Sequence, residues 1–323
     1  MNREFIFSNP KTIKWLQQDC ISVVGDDWYR RRAKDDASVW FRSLAKKAGR
    51  GKNGTTQQGC YLVSANGDLL AFINTNSFEH FTSRMQNGMK KWNQLPADQK
   101  KAVIPAAKNH DYKLNVPPID PSRDKVFEVQ SRALTQNAGK LSRWNSQGKV
   151  GGLSTLGHLW IKQQEWDSFI KQINGLELNQ KIVFPNRITH RIARFHLVDN
   201  TRGEGPAWRM KDIKTAVLFV TRTSKGYQIQ GDFHLENTTD KRSYMANLTG
   251  LLTLANKQPK SWTMTVYGKH QGEGRFTRNA RPGAQPLAFT FEYLAKPEDI
   301  RPVDLVPPQH MRWQRGYWEA EKH

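Results

Sequence analysis

Five segments in the last third of the chain are patterned as β-strands, and they constrain the fold more than any other feature. They are Ala216–Val220, Tyr227–Leu235, Tyr244–Leu254, Trp262–Tyr267 and Leu287–Tyr293. In the second, fourth and fifth segments apolar residues recur at every other position, which indicates one buried face and one face in water. Polar turns separate the segments, as between neighbouring antiparallel strands. We therefore predict an antiparallel β-sandwich or half-closed barrel.

The first hundred residues predict a mixture of helices and strands. Asn9 and the pair Asp35-Asp36 are predicted as the N-caps of two helices, and apolar residues recur every three or four positions over 78–95, which predicts a third helix. The β-branched run Cys20–Val24 predicts a buried strand. Residues 61–73 predict a hairpin that turns at Asn66-Gly67, a dipeptide suited to tight turns.

The order helix, strand, helix, hairpin, helix resembles the larger part of a thioredoxin fold. The lines FSNPKTIKWLQQDCISVVGDDW and GCYLVSANGDLLAFIN are similar to those of uncharacterised bacterial thioredoxin-like proteins, over residues 4–95. The redox dithiol of such proteins would precede Met1, and this sequence has no CxxC. The resemblance thus implies a redox-silent domain, or an oxidoreductase if a CxxC lies upstream. The phrases RFHLVDNTRGE and ARPG, later in the chain, resemble phrases in the same group of proteins.

These patterns divide the chain into an α/β part and an all-β part. The predicted divisions are a thioredoxin-like domain at 1–95, a proline-rich linker at 96–123, an antiparallel β-rich domain at 124–296 and a tail at 297–323 that packs on the sheet. The linker contains Pro105, Pro117, Pro118 and Pro121 without sustained periodicity, which is typical of irregular structure. With 323 residues, the chain is long enough for two domains.

The charge balance points to anionic partners. The chain has 50 Lys and Arg against 29 Asp and Glu, a net charge of +21, and such a field attracts polyanions. A uniformly basic surface with no dedicated partner explains the same composition equally well. Basic pairs and triplets beside aromatic residues, as in Trp28–Arg32 and Met311–Arg315, leave a nucleic-acid-binding module as an alternative.

Two segments, Arg187–Trp208 and Gly268–Gly283, concentrate the groups that bind anions. The ligand-binding candidates in them are Arg194, His196, Arg202, His270, Glu273, Arg275 and Arg278. Interpreted as a strand, the first segment places Arg194 and His196 on one face. Guanidinium groups in turns suit bidentate capture of a carboxylate or phosphate. We expect a binding protein whose β domain holds an anionic ligand or polyanionic partner.

Each candidate also has a structural interpretation. His196 fits a hydrogen-bonded histidine of the sheet, and Arg202 fits an internal ion pair with Glu204 or Glu273. A metal enzyme would use His196, His270 and Glu273, although their spacing does not favour a metal site over a structural role. We therefore expect no metal and no cofactor.

The two cysteines, Cys20 and Cys60, exclude a disulfide framework and a cysteine zinc site. Cys60 follows a glycine-rich loop and is the redox candidate of a thiol enzyme, although a structural role is the commoner one for such a residue. No catalytic motif is legible, so enzyme activity stays open. No segment is long and apolar enough to cross a bilayer. The sequence does not fix the compartment: we expect a periplasmic or secreted protein if an N-terminal segment has been removed, and a cytoplasmic one otherwise.

Overall fold

A computed structural model describes most of the chain. The described residues are 4–7, 9–25, 27–51, 56–75, 77–102, 120, 122–144, 154–201, 205–272, 280–295 and 314–322. The chain divides into two compact units, Met1–Val116 and Pro117–His323.

The first unit contains five helices and one hairpin among its described residues. The helices are α1 (Glu4–Phe7), α2 (Pro10–Asp19), α3 (Asp27–Arg30), α4 (Asp36–Lys47) and α5 (Phe78–Gln94). The N-cap at Asn9 is confirmed, and of the pair Asp35-Asp36 the N-cap is Asp35: Asn9 Oδ1 accepts a hydrogen bond from Lys11 N at 2.9 Å, and Asp35 Oδ1 accepts one from Ser38 N at 2.7 Å. The sequence thus specifies these helix starts through side chains that satisfy otherwise unpaired backbone N–H groups.

The hairpin pairs β1 (Cys60–Val63) with β2 (Leu69–Ile73), as predicted. Its turn needs Gly67, which has a φ of 92°, in the region that glycine adopts without strain. Helix α5 lies close against the hairpin at Gly88, where a Cβ atom would come within 2.9 Å of Ala71 Cβ. The absence of a side chain at Gly88 is what permits this distance.

The prediction of a buried strand at Cys20–Val24 is wrong. These residues form no strand, and Ile21 and Val24 are 97% and 99% exposed. A β-branched run favours extended backbone, but a strand forms only where another strand pairs with it. The described sheet of this unit consists of β1 and β2. The wider resemblance to thioredoxin-like proteins stays a prediction.

The second unit is built on a nine-stranded antiparallel sheet. Its strands are β3 (Lys125–Asn137), β4 (Lys140–Arg143), β5 (Ser154–Ile161), β6 (Lys181–Val183), β7 (Ile213–Thr223), β8 (Gly226–Asn237), β9 (Arg242–Ala255), β10 (Gln258–Gln271) and β11 (Gln285–Tyr293). The order is β4-β3-β11-β10-β9-β8-β7-β6, and β5 also pairs with β3. All five strands predicted in the last third of the chain are confirmed, in consecutive antiparallel pairing from β7 to β11.

One face of this sheet is covered by helices. Helix α6 (Gln163–Ile173) and helix α7 (Asn186–Arg191) contribute apolar side chains to the same core as the strands. At its centre Trp262 of β10 contacts Phe127, Trp166, Phe169 and Phe184, with ring centroids 4.7–6.2 Å apart. The nine described strands of this unit form one hydrogen-bonded sheet, and the choice between a sandwich and a half-closed barrel stays a prediction. On the opposite face Thr249, Thr265 and Thr290 are exposed, which accounts for the alternation in the sequence.

Candidate functional site

The arginine and histidine segment that begins at Arg187 is helical, and its prediction as a strand is wrong. Helix α7 continues directly into a π-helical turn, Ile192–His196, in which Leu197 N donates a hydrogen bond to Ile192 O at 3.0 Å. Every residue from Arg191 to Asp199 is buried. A segment without an exposed face has no periodicity that separates a strand from a helix. The helix places Arg191 and Arg194, three positions apart, on neighbouring sites of one surface.

Arg191 is fully buried, and all of its guanidinium donors are used. It forms a bidentate ion pair with Glu165, at 2.6 Å and 2.9 Å. It also donates to the carbonyl oxygens of Trp160 at 2.9 Å, Tyr317 at 3.0 Å and Trp318 at 3.2 Å. A buried guanidinium is stable only when paired and hydrogen-bonded in this way. Arg191 is not among the ligand-binding residues predicted from the sequence. Its position three residues before Arg194 is the sequence feature that could have indicated its place in the same cluster.

Arg194 is equally buried, and its contacts are also internal. Its Nε donates to Trp208 O at 3.0 Å, and its Nη1 donates to Ala320 O at 2.7 Å. Burial lowers the pKa of this guanidinium. Arg194 therefore joins the segment around Trp208 to the C-terminal segment of the chain.

His196 makes a hydrogen bond to the phenol of Tyr317, with 3.0 Å between His196 Nε2 and Tyr317 Oη. Burial, together with the nearby Arg191 guanidinium and the His158 imidazole, lowers the pKa of His196 from 6.5 to about 3. The imidazole is neutral at neutral pH. Since Tyr317 Oη accepts a hydrogen bond from Trp160 N at 3.2 Å, its own proton is available for His196 Nε2. His196 therefore holds the Tyr317 side chain in place through this hydrogen bond.

The second predicted segment lies beside the first. The rings of Trp208 and His270 are 6.5 Å apart, and those of Tyr244 and His270 are 6.0 Å apart. A cleft is lined by Asp199 and Thr201 from the first segment and by His270 and Gly272 from the second. Its volume is about 20 Å³, which corresponds to roughly one water molecule.

Four of the predicted ligand-binding residues, Arg202, Glu273, Arg275 and Arg278, lie outside the described residues. Arg281, from the same segment, is described. Its guanidinium donates to Leu134 O at 2.5 Å and to Pro286 O at 3.1 Å, and it lies over the ring of Trp144 at 4.6 Å. Arg281 thus holds the strands β3 and β11 together at this end of the sheet.

The described residues contain no group of three His, Cys, Asp or Glu side chains that could hold a metal ion. His196 contacts Phe291 and Tyr317, whereas His270 contacts Trp208 and Tyr244. The third predicted ligand, Glu273, is outside this set. The alternative two-histidine, one-carboxylate metal site stays a hypothesis.

The two cysteines have different surroundings. Burial and Asp19 raise the pKa of Cys20, which disfavours the nucleophilic thiolate at neutral pH. Cys60 begins β1 and packs against the small core of Ile6, Ala71, Phe81 and Met85. Both positions suit a small apolar side chain.

A basic surface is visible on helix α5. Arg84, Lys90 and Lys91 are exposed, with Asn87 between them on the same side of the helix. No acidic residue occurs between Glu79 and Asp98. Helix geometry puts Arg84 and Lys91 about 10 Å apart along one stripe. We call Arg84, Asn87, Lys90 and Lys91 the basic face of α5.

Comparison of the chain with models of protein families, with curated proteins and with solved structures found no match. None of the described helices combines the length and the apolar character needed to cross a membrane. The functional argument therefore rests on the contacts and charges above.

Proposed function

We propose that this protein binds a polyanion, and that the basic face of α5 is one of its contact surfaces. The observation that carries the proposal is a run of exposed cations on one helix, in a stretch of sequence with no acidic residue between Glu79 and Asp98, in a chain whose net charge is +21. Exposed lysine and arginine that lack carboxylate partners attract phosphate or carboxylate polymers and release their counterions on binding.

The buried arginines support the proposal indirectly. Arg191 pairs with Glu165, Arg194 binds carbonyl oxygens, and both side chains are buried, so these two cations are not exposed to a polyanion at the surface. The positive charge that a partner meets is carried by exposed side chains such as Arg84, Lys90 and Lys91. On a helix these side chains keep a fixed spacing, and the neutral amide of Asn87 adds a hydrogen-bond donor.

A second contact is proposed for the β-rich unit, through Arg202, Arg275 and Arg278. This is the anion site expected from the sequence, without Arg194 and His196 as direct ligands.

The first unit acts in this proposal as a redox-silent, thioredoxin-like binding module, because its two thiols belong to no CxxC pair. A metal enzyme with Glu273 or a thiol enzyme with Cys60 is the alternative, and activity that depends on either residue would favour it.

The test is a salt titration of binding to single-stranded DNA, duplex DNA and polyglutamate. The variant Arg84→Gln/Lys90→Gln/Lys91→Gln keeps residues that favour helix and removes three charges. Three phosphate contacts contribute about 2.7 to the slope of log K against log salt on duplex DNA, so we expect the slope to fall by up to that amount. Polyglutamate separates a general polyanion site from a nucleic-acid site.

The matched control is Lys211→Gln/Lys214→Gln/Lys225→Gln, which removes three exposed charges from the second unit. We expect it to keep most of the slope. Equal losses in the two variants would refute the basic face of α5 as the contact surface. Absence of salt-dependent binding to all three polymers would refute polyanion binding itself.

A further inference from the structure

The described end of the chain is held in a cleft of the second unit as a peptide ligand would be. It comprises the short helix α8 (Gln314–Trp318) and the turn that follows it to Lys322. Three of its carbonyl groups, those of Tyr317, Trp318 and Ala320, accept hydrogen bonds from Arg191 and Arg194. We call residues 314–322 the C-terminal segment.

The cleft is organised by contacts that do not involve the C-terminal segment. Glu165 and the carbonyl of Trp160 fix the guanidinium of Arg191 from one side. Glu165 in turn accepts a hydrogen bond from Lys162 N at 2.9 Å, and the carbonyl of Trp208 fixes Arg194. Both guanidinium groups therefore point donors at the C-terminal segment without needing it for their orientation. Such pre-organisation lowers the entropic cost of binding a peptide.

The C-terminal segment supplies one deep anchor and a partly exposed rim. The anchor is Tyr317, fully buried against Val126, Trp160 and Phe195, with its hydroxyl between Trp160 N and His196. A buried aromatic group with its polar end hydrogen-bonded is the usual centre of a recognition site.

At the rim, Lys162 lies 4.5 Å above the ring of Trp318. Arg187 Nε is 2.9 Å from Glu321 Oε1. These contacts add selectivity for an aromatic residue after the anchor and an acidic residue further along.

We propose that this cleft is a peptide-binding site, occupied by the chain's own C-terminal segment and able to accept the same segment from a second copy of the chain. On the side of the C-terminal segment, all the contacts described here are made by side chains and carbonyl groups of one short stretch, which is joined to β11 through residues 294–313. The segment of a second copy offers the same anchor, carbonyls and rim, so exchange between copies replaces every contact with an identical one. The inference is independent of polyanion binding.

The experiment uses the full-length protein and a fluorescein-labelled peptide of residues 314–322, followed by fluorescence anisotropy. In the wild-type protein the attached segment competes with the peptide. Tyr317→Phe in the protein removes the hydroxyl between Trp160 N and His196. The attached segment then binds the cleft less tightly, by about the free energy of one hydrogen bond. We expect the labelled wild-type peptide to bind this variant about fivefold more tightly than it binds the wild-type protein.

Glu321→Gln in the protein is the second variant, because it disturbs only the rim and leaves the core intact. It should tighten binding of the peptide by about twofold. A labelled peptide with Tyr317→Ala is the matched control and should bind neither variant. Lack of saturable binding to both protein variants, or equal binding of the two peptides, would overturn the peptide site.

Exchange between copies is measured by mixing tagged and untagged full-length protein and capturing the tagged copy. We expect untagged protein to be co-captured and excess peptide to release it. A monomer at every concentration, with no co-capture, would overturn exchange between copies.

Discussion

Replacing the buried imidazole of His196 with a side chain that does not titrate should make the protein less sensitive to acid. The pKa of His196 is lowered from 6.5 to about 3 by burial in the folded protein, whereas the unfolded chain keeps the ordinary value. Between these two pH values the unfolded state binds one proton more than the folded state. The free energy of unfolding therefore falls as the pH is lowered from about 6.5.

The magnitude follows from the two pKa values. Each pKa unit corresponds to about 1.4 kcal/mol, so this histidine alone removes about 2 kcal/mol of stability by pH 5 and up to about 5 kcal/mol by pH 3. That is a large part of the stability of an ordinary domain.

The variant is His196→Gln, whose amide reaches the position of Nε2 and keeps a hydrogen-bond partner for Tyr317. Urea unfolding is followed at several pH values from neutral to about 4.5, where the carboxylates begin to titrate. The comparison uses the slope of stability with pH, because the substitution also changes the stability at neutral pH. His234→Gln is the control, since the His234 side chain is 39% exposed. If His196→Gln loses stability in acid as steeply as the wild-type protein, this explanation of its acid sensitivity is refuted.

Two further substitutions test the packing of each unit by urea unfolding. Arg191→Met leaves the partly buried Glu165 carboxylate without its bidentate partner and three carbonyl groups without their donor, and should cost about 3–5 kcal/mol; a cost below about 1 kcal/mol would contradict this role of Arg191. Gly88→Ala puts a Cβ atom within 2.9 Å of Ala71 Cβ and should destabilise the first unit by about 1 kcal/mol, since overpacking exceeds the gain in helix propensity. Gly175→Ala, where no atom lies within 4 Å, should change stability by less than about 0.5 kcal/mol.

Local sequence patterns determined the elements that have one wet and one buried face. Helix α5 and the strands from β7 to β11 were predicted because their exposed positions carry polar residues at a regular period. Capping side chains marked the helix starts at Asn9 and Asp35 in the same local way. These features lie within a few residues of one another, so no knowledge of the tertiary structure is needed to recognise them.

Elements without that contrast could not be assigned from sequence. Residues 191–199 are buried throughout. The order of their apolar and polar residues therefore does not show whether the segment is a strand or a helix. Cys20–Val24 has a strand-like composition, but the described part of the first unit provides no strand to pair with it. Pairing is a property of the neighbours, and composition does not contain it.

The candidate site shows the same division. The sequence determined that arginine and histidine are concentrated in Arg187–Trp208. These side chains need hydrogen-bond or ion-pair partners wherever they are buried. Only the tertiary structure decided which partners, because Glu165 and Tyr317 are 26 and 126 residues from Arg191 along the chain. Burial then decided the role: a guanidinium removed from water is stable only with its donors satisfied. Arg191 and Arg194 consequently hold the C-terminal segment in place.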